Sequence, residues 1–436
     1  MKNVYLLLLF LYSHTIFSQN TSQFVIQGPE QSKLDSIRKI QIENLKKEAI
    51  VRFESYKALK DKSSLTYLNL SYLDLEEIPD IVYEFPNLIR LNLTENKIRK
   101  LPRKLRHLDS LKYINLASNQ LGSGVLKVRR NKNITKIYLD KNNLSVLPRS
   151  VKKLKGLKEI MLDNNNFSDL PNILTKIKTL EQLDINVNPL IFQKTQFGKF
   201  NHLEALRMVQ CELDSIPKDL YLMKNLRQLN ISHNHITSLP HGLKELGKLE
   251  RIGLYNNQLT FLPDELFSLV HLTEIDVYFN QIEKIPEQVS NLQKLEVLYI
   301  SNNLIFSIPE SVGKMLNLKK LYIHHNRMSN LPKSISNLNQ LEVLHINDNY
   351  FTDIPSSIFQ LNALEDLDVS RNQIIFIPEQ INHLSSLKYF FFSKNPIDIN
   401  HSGNYHLQES IKSLKERNVI VRFNSLEKTI GLDDEY

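Results

Sequence analysis

Apolar residues return along this chain at a strict spacing of 23 residues. Each unit opens with apolar side chains at its first, fourth and sixth positions, as at Leu65, Leu68 and Leu70. The triplet recurs without a shift of register through fifteen units, the last of which begins at Leu387. A spacing of two residues is the period of a β-strand, and one short strand cannot bury its apolar face alone. The pattern therefore predicts fifteen strands stacked side by side as a solenoid.

Asparagine marks the ninth position of the unit. It stands there in thirteen of the fifteen units, and only Leu73 and Cys211 depart. An amide side chain both donates and accepts hydrogen bonds, so it can satisfy the backbone of a turn. We predict a buried ladder of asparagines, which explains why 44 of the 436 residues are asparagine. The thirteen residues are Asn96, Asn119, Asn142, Asn165, Asn188, Asn234, Asn257, Asn280, Asn303, Asn326, Asn349, Asn372 and Asn395.

Proline occupies the fifteenth position in twelve units, from Pro79 to Pro378. Apolar residues then follow three apart, at the eighteenth and twenty-first positions, which predicts a short helical turn on the convex side. Apart from the last unit, two units lack the proline corner: the third has Gly-Ser-Gly-Val at 122–125, and the sixth has Gln-Lys at 193–194. Because the spacing of 23 survives both departures, we expect altered convex loops and no domain boundary.

The consensus LxxLxLxxNxLxxLPxxLxxLxx resembles the leucine-rich repeat family, over residues 65–400. The LP-containing 23-residue form is similar to the repeats of Ras-binding scaffolds and plant disease-resistance proteins, and it is common in bacterial proteins. The resemblance implies an α/β solenoid: a leucine-rich-repeat horseshoe with a parallel sheet on its concave face and short helical turns or loops on its convex face. Fifteen strands spaced by about 4.8 Å would give an inner face of roughly 70 Å.

The N-terminus has the three parts of a secretory signal peptide. A positive end at Lys2 precedes an apolar run at 4–12, and Ser18 offers a small residue before a cut. The run is shorter than the roughly 20 residues that span a bilayer, and no later segment predicts a transmembrane anchor. Cys211, the single cysteine, lies far from the cut, which excludes an N-terminal lipid anchor on cysteine. We expect a signal peptide at 1–18 and a secreted, periplasmic or cell-surface protein.

The remaining segments are read as a linker at 19–29, a helical N-terminal cap at 30–64, fifteen repeats at 65–400, a C-terminal cap at 401–423 and a tail at 424–436. Caps are needed because the end repeats of a solenoid otherwise expose apolar edges. Apolar residues expected to share one face of the first helix are Leu34, Ile37, Leu45, Ala49, Phe53, Tyr56 and Leu59. In the C-terminal cap we expect a helix from Leu407, Ile411 and Leu414, and a strand from Val419, Val421 and Phe423.

Candidate catalytic chemistry is sparse. A single cysteine rules out a disulfide framework, and Cys211 occupies an asparagine slot, where a buried structural role is favoured over a nucleophile. Phosphate-cradling loops, zinc-binding H-E-x-x-H motifs and nucleophile elbows do not occur. The histidines His324, His325 and His345 have no carboxylate or cysteine at ligand spacing in one motif. We therefore predict no enzyme, no catalytic residue, no metal and no cofactor.

Binding residues are expected at the third, fifth and seventh positions of each unit, which alternate with the buried leucines. In units 9 to 13 these positions hold an aromatic and histidine cluster, with Phe279 and Tyr350 nearby. Tyrosine is favoured at binding hot spots, and histidine protonation near pH 6.5 would add charge to the patch. The alternative is a tyrosine ladder that only stiffens the sheet surface. The predicted partner-binding residues are Tyr255, Tyr278, Tyr299, Tyr322, His324 and His345.

The charge is uneven along the chain. It carries 55 basic and 47 acidic residues, a net charge of +8, yet 18 basic and two acidic residues lie between Lys97 and Lys158. Arg106, Arg129 and Lys152 are 23 apart on the convex side and are the predicted anion-binding residues. Stacked cations repel, so an acidic protein, an anionic envelope or cell-surface polymer, or an anionic membrane surface would relieve them. Nucleic acid is not expected as a partner of a secreted chain, and a merely solvated basic flank is the alternative.

Together these features predict a secreted leucine-rich-repeat binding protein that recognises a protein or surface-polymer partner through its concave face. The alternative is an intracellular signalling scaffold, which requires that the N-terminal segment is no signal peptide. A third reading, a leucine-rich-repeat ubiquitin ligase, would need a catalytic cysteine domain beyond the repeats, and no cysteine follows residue 400. The sequence leaves open the ligand, the oligomeric state, and whether the concave face or the basic flank binds.

Overall fold

The computed structural model describes residues 29–122, 132–398 and 401–423. In these residues the chain forms one parallel sheet of sixteen strands, which lie side by side in sequence order with β1 and β16 as the two edge strands. The predicted solenoid with a parallel sheet is confirmed. The predicted signal peptide, residues 19–28 of the predicted linker and the predicted tail at 424–436 lie outside the described residues.

Every strand of the sheet is three residues long, and the pairing follows the sequence period. Tyr299 pairs with Tyr322 and Leu298 with Leu321, so equivalent repeat positions form straight columns across the sheet. The strands are β1 Tyr67–Asn69, β2 Arg90–Asn92, β3 Tyr113–Asn115, β4 Lys136–Tyr138, β5 Glu159–Met161, β6 Gln182–Asp184, β7 Ala205–Arg207, β8 Gln228–Asn230, β9 Arg251–Gly253, β10 Glu274–Asp276, β11 Val297–Tyr299, β12 Lys320–Tyr322, β13 Val343–His345, β14 Asp366–Asp368, β15 Tyr389–Phe391 and β16 Ile420–Arg422.

Short helical turns make up the convex side. The twelve repeat prolines each directly precede a 3-10 turn or the short helix α2. The Pro286 carbonyl accepts the N–H of Val289 at 3.1 Å, which closes such a turn and points Val289 into the core. The α-helices are α1 Pro29–Ala58, α2 Asp264–Phe267 and α3 Leu407–Glu416. The 3-10 turns are Lys62–Ser64, Asp80–Glu84, Arg103–His107, Arg149–Lys153, Asn172–Lys176, Phe197–Phe200, Lys218–Leu222, His241–Glu245, Glu287–Asn291, Glu310–Lys314, Lys333–Asn337, Ser356–Gln360, Glu379–His383 and Ser402–Asn404.

A single apolar core runs the length of the solenoid between the sheet and these turns. Leu295, Leu298 and Ile300, the triplet of one repeat, are 0%, 3% and 0% exposed. Burying one such side chain stabilises the fold by about 1.5–3 kcal/mol relative to leaving it exposed. Since each repeat supplies several and none can bury them alone, stacking of neighbours holds the molecule together.

The asparagine ladder lies at the end of the strands, inside the turn. The amide nitrogen of Asn257 donates to the carbonyls of Ile231 and Leu254 at 3.1 and 3.0 Å, and its oxygen accepts the N–H of Ile236 at 3.1 Å. Asn257 thus joins its own repeat to the preceding one. At the exceptional position, the thiol of Cys211 is fully buried and donates to the carbonyl of Ile185 at 3.3 Å.

The third and sixth repeats, which lack the proline corner, keep the sheet intact. Strands β3 and β4 pair across the third repeat, whose loop at 123–131 lies outside the described residues. In the sixth repeat, the carboxylate of Asp169 accepts the Lys194 N–H at 2.7 Å and the Thr195 hydroxyl at 2.9 Å. The Thr195 hydroxyl oxygen in turn accepts the N–H of Leu170 at 3.0 Å. These bonds hold the altered loop in the place of the proline turn.

Helix α1 covers the edge strand β1. Arg52 donates from Nε to the carbonyl of Asn69 at 2.8 Å, and the Tyr56 hydroxyl accepts the Asn69 N–H at 3.3 Å. These contacts satisfy backbone groups that an edge strand would otherwise leave unpaired. Ile37 and Leu45, however, are 47% and 40% exposed, so the apolar face of the helix is buried only in part. The helix is longer than the end of the solenoid. Its apolar residues pack on the solenoid from Ala49 onward, and Lys46 just before them forms an ion pair with Asp74 at 2.6 Å.

The C-terminal end is covered by α3 and β16. Leu407, Ile411 and Leu414 of α3 are at most 4% exposed, because they lie three and four residues apart on one helical face. Strand β16 pairs in parallel with β15, with Tyr389 opposite Ile420, so it extends the sheet by one strand beyond the fifteen repeats.

Candidate binding surface on the concave face

Equivalent positions of successive repeats form columns across the concave face. Columns 3, 5 and 7 are the side chains at those positions of successive repeats, and column 8 is the residue after column 7. Tyr299 in column 5 is half-buried between the buried Leu298 and Ile300, as strand alternation requires. Column 8 turns the chain out of the strand with positive φ, for example 52° at Asn256 and 54° at Phe279.

The six predicted partner-binding residues come together in this face. Tyr255 stacks on Tyr278, with ring centroids 5.3 Å apart and planes at 20°. Tyr299 stacks on Tyr322 at 4.9 Å and 10°. We call the connected set the aromatic cluster, and it comprises His233, Tyr255, Tyr278, Phe279, Tyr299, Tyr322, His324, His325 and His345.

Two histidines connect the two tyrosine stacks. The ring centroids of His324 and Tyr278 are 5.8 Å apart, with the small side chain of Ser301 on the strand between them. The ring centroids of His345 and Tyr322 are 5.1 Å apart. The two imidazoles are 6.3 Å apart. The cluster is therefore a continuous surface over repeats 8 to 13.

Column 8 contributes members that a reading of columns 3, 5 and 7 misses. His233 lies 4.5 Å from Tyr255, edge to face. Phe279, expected only nearby, contacts Tyr278 at 4.7 Å and is 45% exposed. The left-handed turn at column 8 brings these rings against column 7, so aromatic residues at the eighth position were the signal that could have found them. Tyr350 is 51% exposed and has no recorded ring contact among the described residues.

Protonation of His324 does not follow the sequence expectation. Burial, and then the neighbouring His325 and His345, lower the pKa of His324 to about 4. Its Nδ1 lies 2.9 Å from the hydroxyl of Ser301. The prediction that this histidine gains charge near pH 6.5 is wrong, because the imidazole is enclosed by rings that cannot solvate an imidazolium.

Short polar side chains in column 5 bind the backbone of their own repeat. The Asn230 side chain accepts the N–H of Ser232 at 3.0 Å. Asp276 accepts the N–H of Tyr278 at 3.1 Å in the same way. Asparagine and aspartate are thus equivalent for this bond, whereas only aspartate brings charge to the concave face.

An acidic group in repeats 4 to 6 has no counterpart in the sequence predictions. The carboxylate of Asp140 accepts the backbone N–H of Asp163 at 3.0 Å, one repeat further on. Burial, and then the charge of Asp163, raise the pKa of Asp140 to about 7, and burial raises the pKa of Asp163 to about 6. Asp184 is paired with Arg207 at 2.9 Å. Among the described residues there is no group of three or more histidines, cysteines or carboxylates that could hold a metal ion.

The basic flank lies on the convex turns. Arg106 and Lys152 are exposed and occupy equivalent positions in the second and fourth repeats, in the turns Arg103–His107 and Arg149–Lys153. Arg129, the third predicted anion-binding residue, lies outside the described residues. The structure therefore places two of the three predicted cations on one convex column.

Family models match much of the repeat region. The model described as a leucine-rich repeat region matches residues 308–416, and the one described as a leucine rich repeat matches residues 63–121, 201–259 and 247–305. These matches fall on the stacked strands and turns described above. The chain belongs to the leucine-rich repeat family. Proteins of this family are generally binding scaffolds without catalytic activity.

Solved structures share the fold of this leucine-rich repeat protein. A leucine-rich repeat protein of Leptospira interrogans is 24% identical with a TM-score of 0.69, covering 84% of this chain and 98% of that one. An internalin of Listeria monocytogenes is 22% identical with a TM-score of 0.53, covering 78% and 88%. A chain of the Drosophila Toll–Spatzle complex is 24% identical with a TM-score of 0.63, covering 78% and 49%. No curated protein matches the sequence.

Membrane insertion through a helix finds no support in the described part of the leucine-rich repeat protein. None of the helices there is long and apolar enough to cross a bilayer. The leucine-rich repeat fold itself indicates binding of other proteins.

Proposed function

We propose that this leucine-rich repeat protein is a secreted binding protein that recognises a protein partner through the aromatic cluster. The observation that carries the proposal is the continuity of half-buried rings over repeats 8 to 13. Rigid aromatic side chains bring large contact area at low entropic cost, and a few of them commonly supply most of the binding energy of an interface. Column stacking fixes these rings before a partner arrives.

The structural neighbours support a protein as the partner. A chain with the same fold occurs in the Drosophila Toll–Spatzle complex, where it is bound to a partner. The alternative reading of the tyrosines as mere stiffeners explains the stacks of Tyr255 on Tyr278 and of Tyr299 on Tyr322. It does not require the exposed Phe279 ring beside them.

The test replaces Tyr299 and Tyr322 with alanine together. We expect binding to a partner captured on the wild-type chain to weaken by about 2 kcal/mol or more per anchoring ring. A matched control replaces Tyr67 and Tyr389, which are 46% and 41% exposed on the same face at its two ends. Equal affinity of the cluster variant and the wild type would reject the concave cluster as the binding surface.

Secretion is tested separately. We expect cells that produce the full chain to export it, and N-terminal sequencing of the exported protein to begin near Gln19. The positive end at Lys2 and the short apolar run of the N-terminal segment support this proposal. A full-length chain retained in the cytoplasm would instead favour the intracellular scaffold.

A further inference from the structure

Column 5 of the concave face has small residues at Gly253 and Asp276, ahead of the large ring of Tyr299, and we call the space above Asp276 the gap. Strand pairing places Gly253, Asp276 and Tyr299 side by side in this column. Gly253 has no side chain, and Asn230 in the preceding repeat leans over it, so that a Cβ there would lie 2.9 Å from the Asn230 amide. The gap is therefore bounded by the Asn230 amide on one side and the Tyr299 ring on the other, with the Asp276 carboxylate between them.

One face of Tyr299 is turned toward this gap. Tyr299 and Tyr322 stack with nearly parallel planes, and their separation of 4.9 Å matches the spacing of about 4.8 Å between strands. The ring normals therefore run along the column. Tyr322 covers one face of Tyr299, and the other face points toward Asp276. Burial, and then the charges of Glu274 and Asp276, raise the pKa of Tyr299, which agrees with carboxylates close to the ring.

The carboxylate of Asp276 is half-buried, and no described residue forms an ion pair with it. Burial raises the pKa of Asp276 to about 6. The hydrogen bond from the N–H of Tyr278 lowers this pKa, and the charge of Glu274 raises it. The buried Asp184 on the same face has Arg207 at 2.9 Å. The concave face thus supplies its own cation to Asp184 and none to Asp276.

The surrounding surface is acidic although the chain is basic overall. In columns 3, 5, 7 and 8 of repeats 9 to 14, five carboxylates face three cations, while the whole chain carries a net charge of +8. Arg371 and Asp348 of this set are paired with each other at 3.5 Å, which leaves four carboxylates and two cations. A positively charged segment is therefore attracted to this part of the concave face.

We propose that the gap at Asp276 binds the ammonium or guanidinium group of a lysine or arginine from an extended basic segment of a protein partner. The inference rests on the proposed function, since it names the chemistry of the partner at the same surface. A cation over the open face of Tyr299 is attracted by the ring, and it forms a charge-assisted hydrogen bond with Asp276. The methylene stem of the bound side chain packs against the stacked Tyr255 and Tyr278.

The fold itself offers a substitution that removes the charge and keeps the backbone bond. In four other repeats an asparagine at column 5 accepts the equivalent N–H, two residues further along the chain. These residues are Asn69, Asn92, Asn115 and Asn230. Asp276→Asn is therefore expected to fold as the wild type does. Asp368→Asn is the matched control, since Asp368 is also half-buried in column 5 and accepts the N–H of Ser370 at 2.9 Å, but lies outside the gap.

The experiment selects twelve-residue peptides from a random phage-displayed library on the purified chain. We expect lysine and arginine to be at least twofold enriched over the library on the wild type and on Asp368→Asn, and not enriched on Asp276→Asn. The strongest peptide is then compared with its analogue carrying citrulline in place of arginine, or acetyl-lysine in place of lysine, by fluorescence anisotropy. The neutral analogue should bind the wild type at least tenfold more weakly and should bind Asp276→Asn as the parent peptide does.

Recovery of no peptide, or of peptides without basic enrichment, overturns the proposal, and so does enrichment that Asp276→Asn leaves unchanged. Equal loss in both asparagine variants also overturns it, because general surface charge would then explain the binding. The outcome for the proposed function is read from the Tyr299→Ala/Tyr322→Ala variant. Peptides that lack basic residues but need these tyrosines would leave the concave surface standing and reject only the cationic ligand.

Discussion

Asn256 and Asn257 are adjacent in sequence and have opposite environments. Asn257 is 7% exposed and bonds two carbonyls and one N–H across the junction of two repeats. Asn256 is exposed, and its backbone is in the left-handed region at φ 52°. Asparagine tolerates that conformation better than alanine does. Position within the repeat, not residue type, therefore decides what each asparagine contributes.

Replacing Asn257 with alanine tests the ladder. The N–H of Ile236 would lose its partner inside the turn, and an unsatisfied buried group costs about 1–3 kcal/mol. Thermal unfolding should show a lower midpoint for Asn257→Ala, whereas Gln258→Ala, at the exposed next position, should stay near the wild type. Asn256→Ala should fall between them because of its left-handed backbone. Equal midpoints for the variants at 257 and 258 would contradict the ladder.

The acidic group in repeats 4 to 6 predicts a dependence of stability on pH. The folded pKa of Asp140, about 7, lies above its ordinary value of 3.8, so the folded state binds more protons than the unfolded state between these values. Stability from this group is therefore present at low pH and lost as pH rises through about 7.

Asp140→Asn should raise the free energy of unfolding at pH 8 by about 1 kcal/mol and change it little at pH 4. The same column already contains Asn186, whose side chain accepts the N–H of Val209 at 2.8 Å, so asparagine preserves this backbone bond. Denaturation at several pH values provides the measurement. The lowered pKa of His324 makes stability rise with pH between about 4 and 6.5, opposite to the effect of Asp140. The quantity to compare is therefore the difference in unfolding free energy between variant and wild type at each pH. A difference independent of pH would contradict the assignment.

At the scale of elements, the ends of the sheet depend on side chains from outside the repeats. Arg52 of α1 bonds the carbonyls of Asn69 and Ser71 at 2.8 and 3.3 Å, which are edge groups of the first repeat. The overhanging half of α1 makes no comparable contact at Ile37, which is 47% exposed. The cap therefore acts through a few contacts near its C-terminal end.

Arg52→Ala should lower the stability of the first repeats by about 1–2 kcal/mol, since hydrogen bonds to charged groups are stronger than neutral ones. Hydrogen exchange should quicken at the backbone N–H of Asn69, which donates to the Tyr56 hydroxyl of the same helix and depends on its docking. Lys47→Ala, an exposed position on the same helix, is the control. Unchanged exchange at Asn69 in Arg52→Ala would show that the cap does not protect the edge.

At the scale of the whole molecule, charge separates along the solenoid. The segment from Lys97 to Lys158 is strongly basic within a chain of net charge +8, so the remainder is acidic. Reversing Arg106, Arg129 and Lys152 to glutamate should abolish retention on an anionic matrix at low salt and leave the fold intact. Wild-type retention should fall steeply with salt, because exposed charges are screened over about 8 Å at physiological ionic strength.

A reversal of Lys314, Arg327 and Lys333, exposed cations of later repeats, changes the net charge by the same amount and is the control. Retention lost equally in both triple variants would indicate a response to net charge alone. Retention unaffected by the first reversal would exclude the basic flank as an interaction surface.

Much of the fold and the outline of the candidate site follow from spacing alone. The period of 23 placed Leu298 in the core and Tyr299 beside Tyr322, because parallel strands of equal length pair equivalent positions. The contiguity of the cluster followed from the same columns. His233 was not predicted as a member of the cluster, because the strand period does not describe the left-handed turn at column 8.

The sequence by itself determined the stacking order, the register and the face of each strand residue, since these depend on local alternation and an exact repeat. Only the tertiary structure decided how far each polar group is removed from water. The low pKa of His324 and the raised pKa values of Asp140 and Asp276 all arise first from burial, and only then from neighbouring charges. Desolvation and charge depend on the whole set of side chains around a group, and that set is assembled only when the repeats stack.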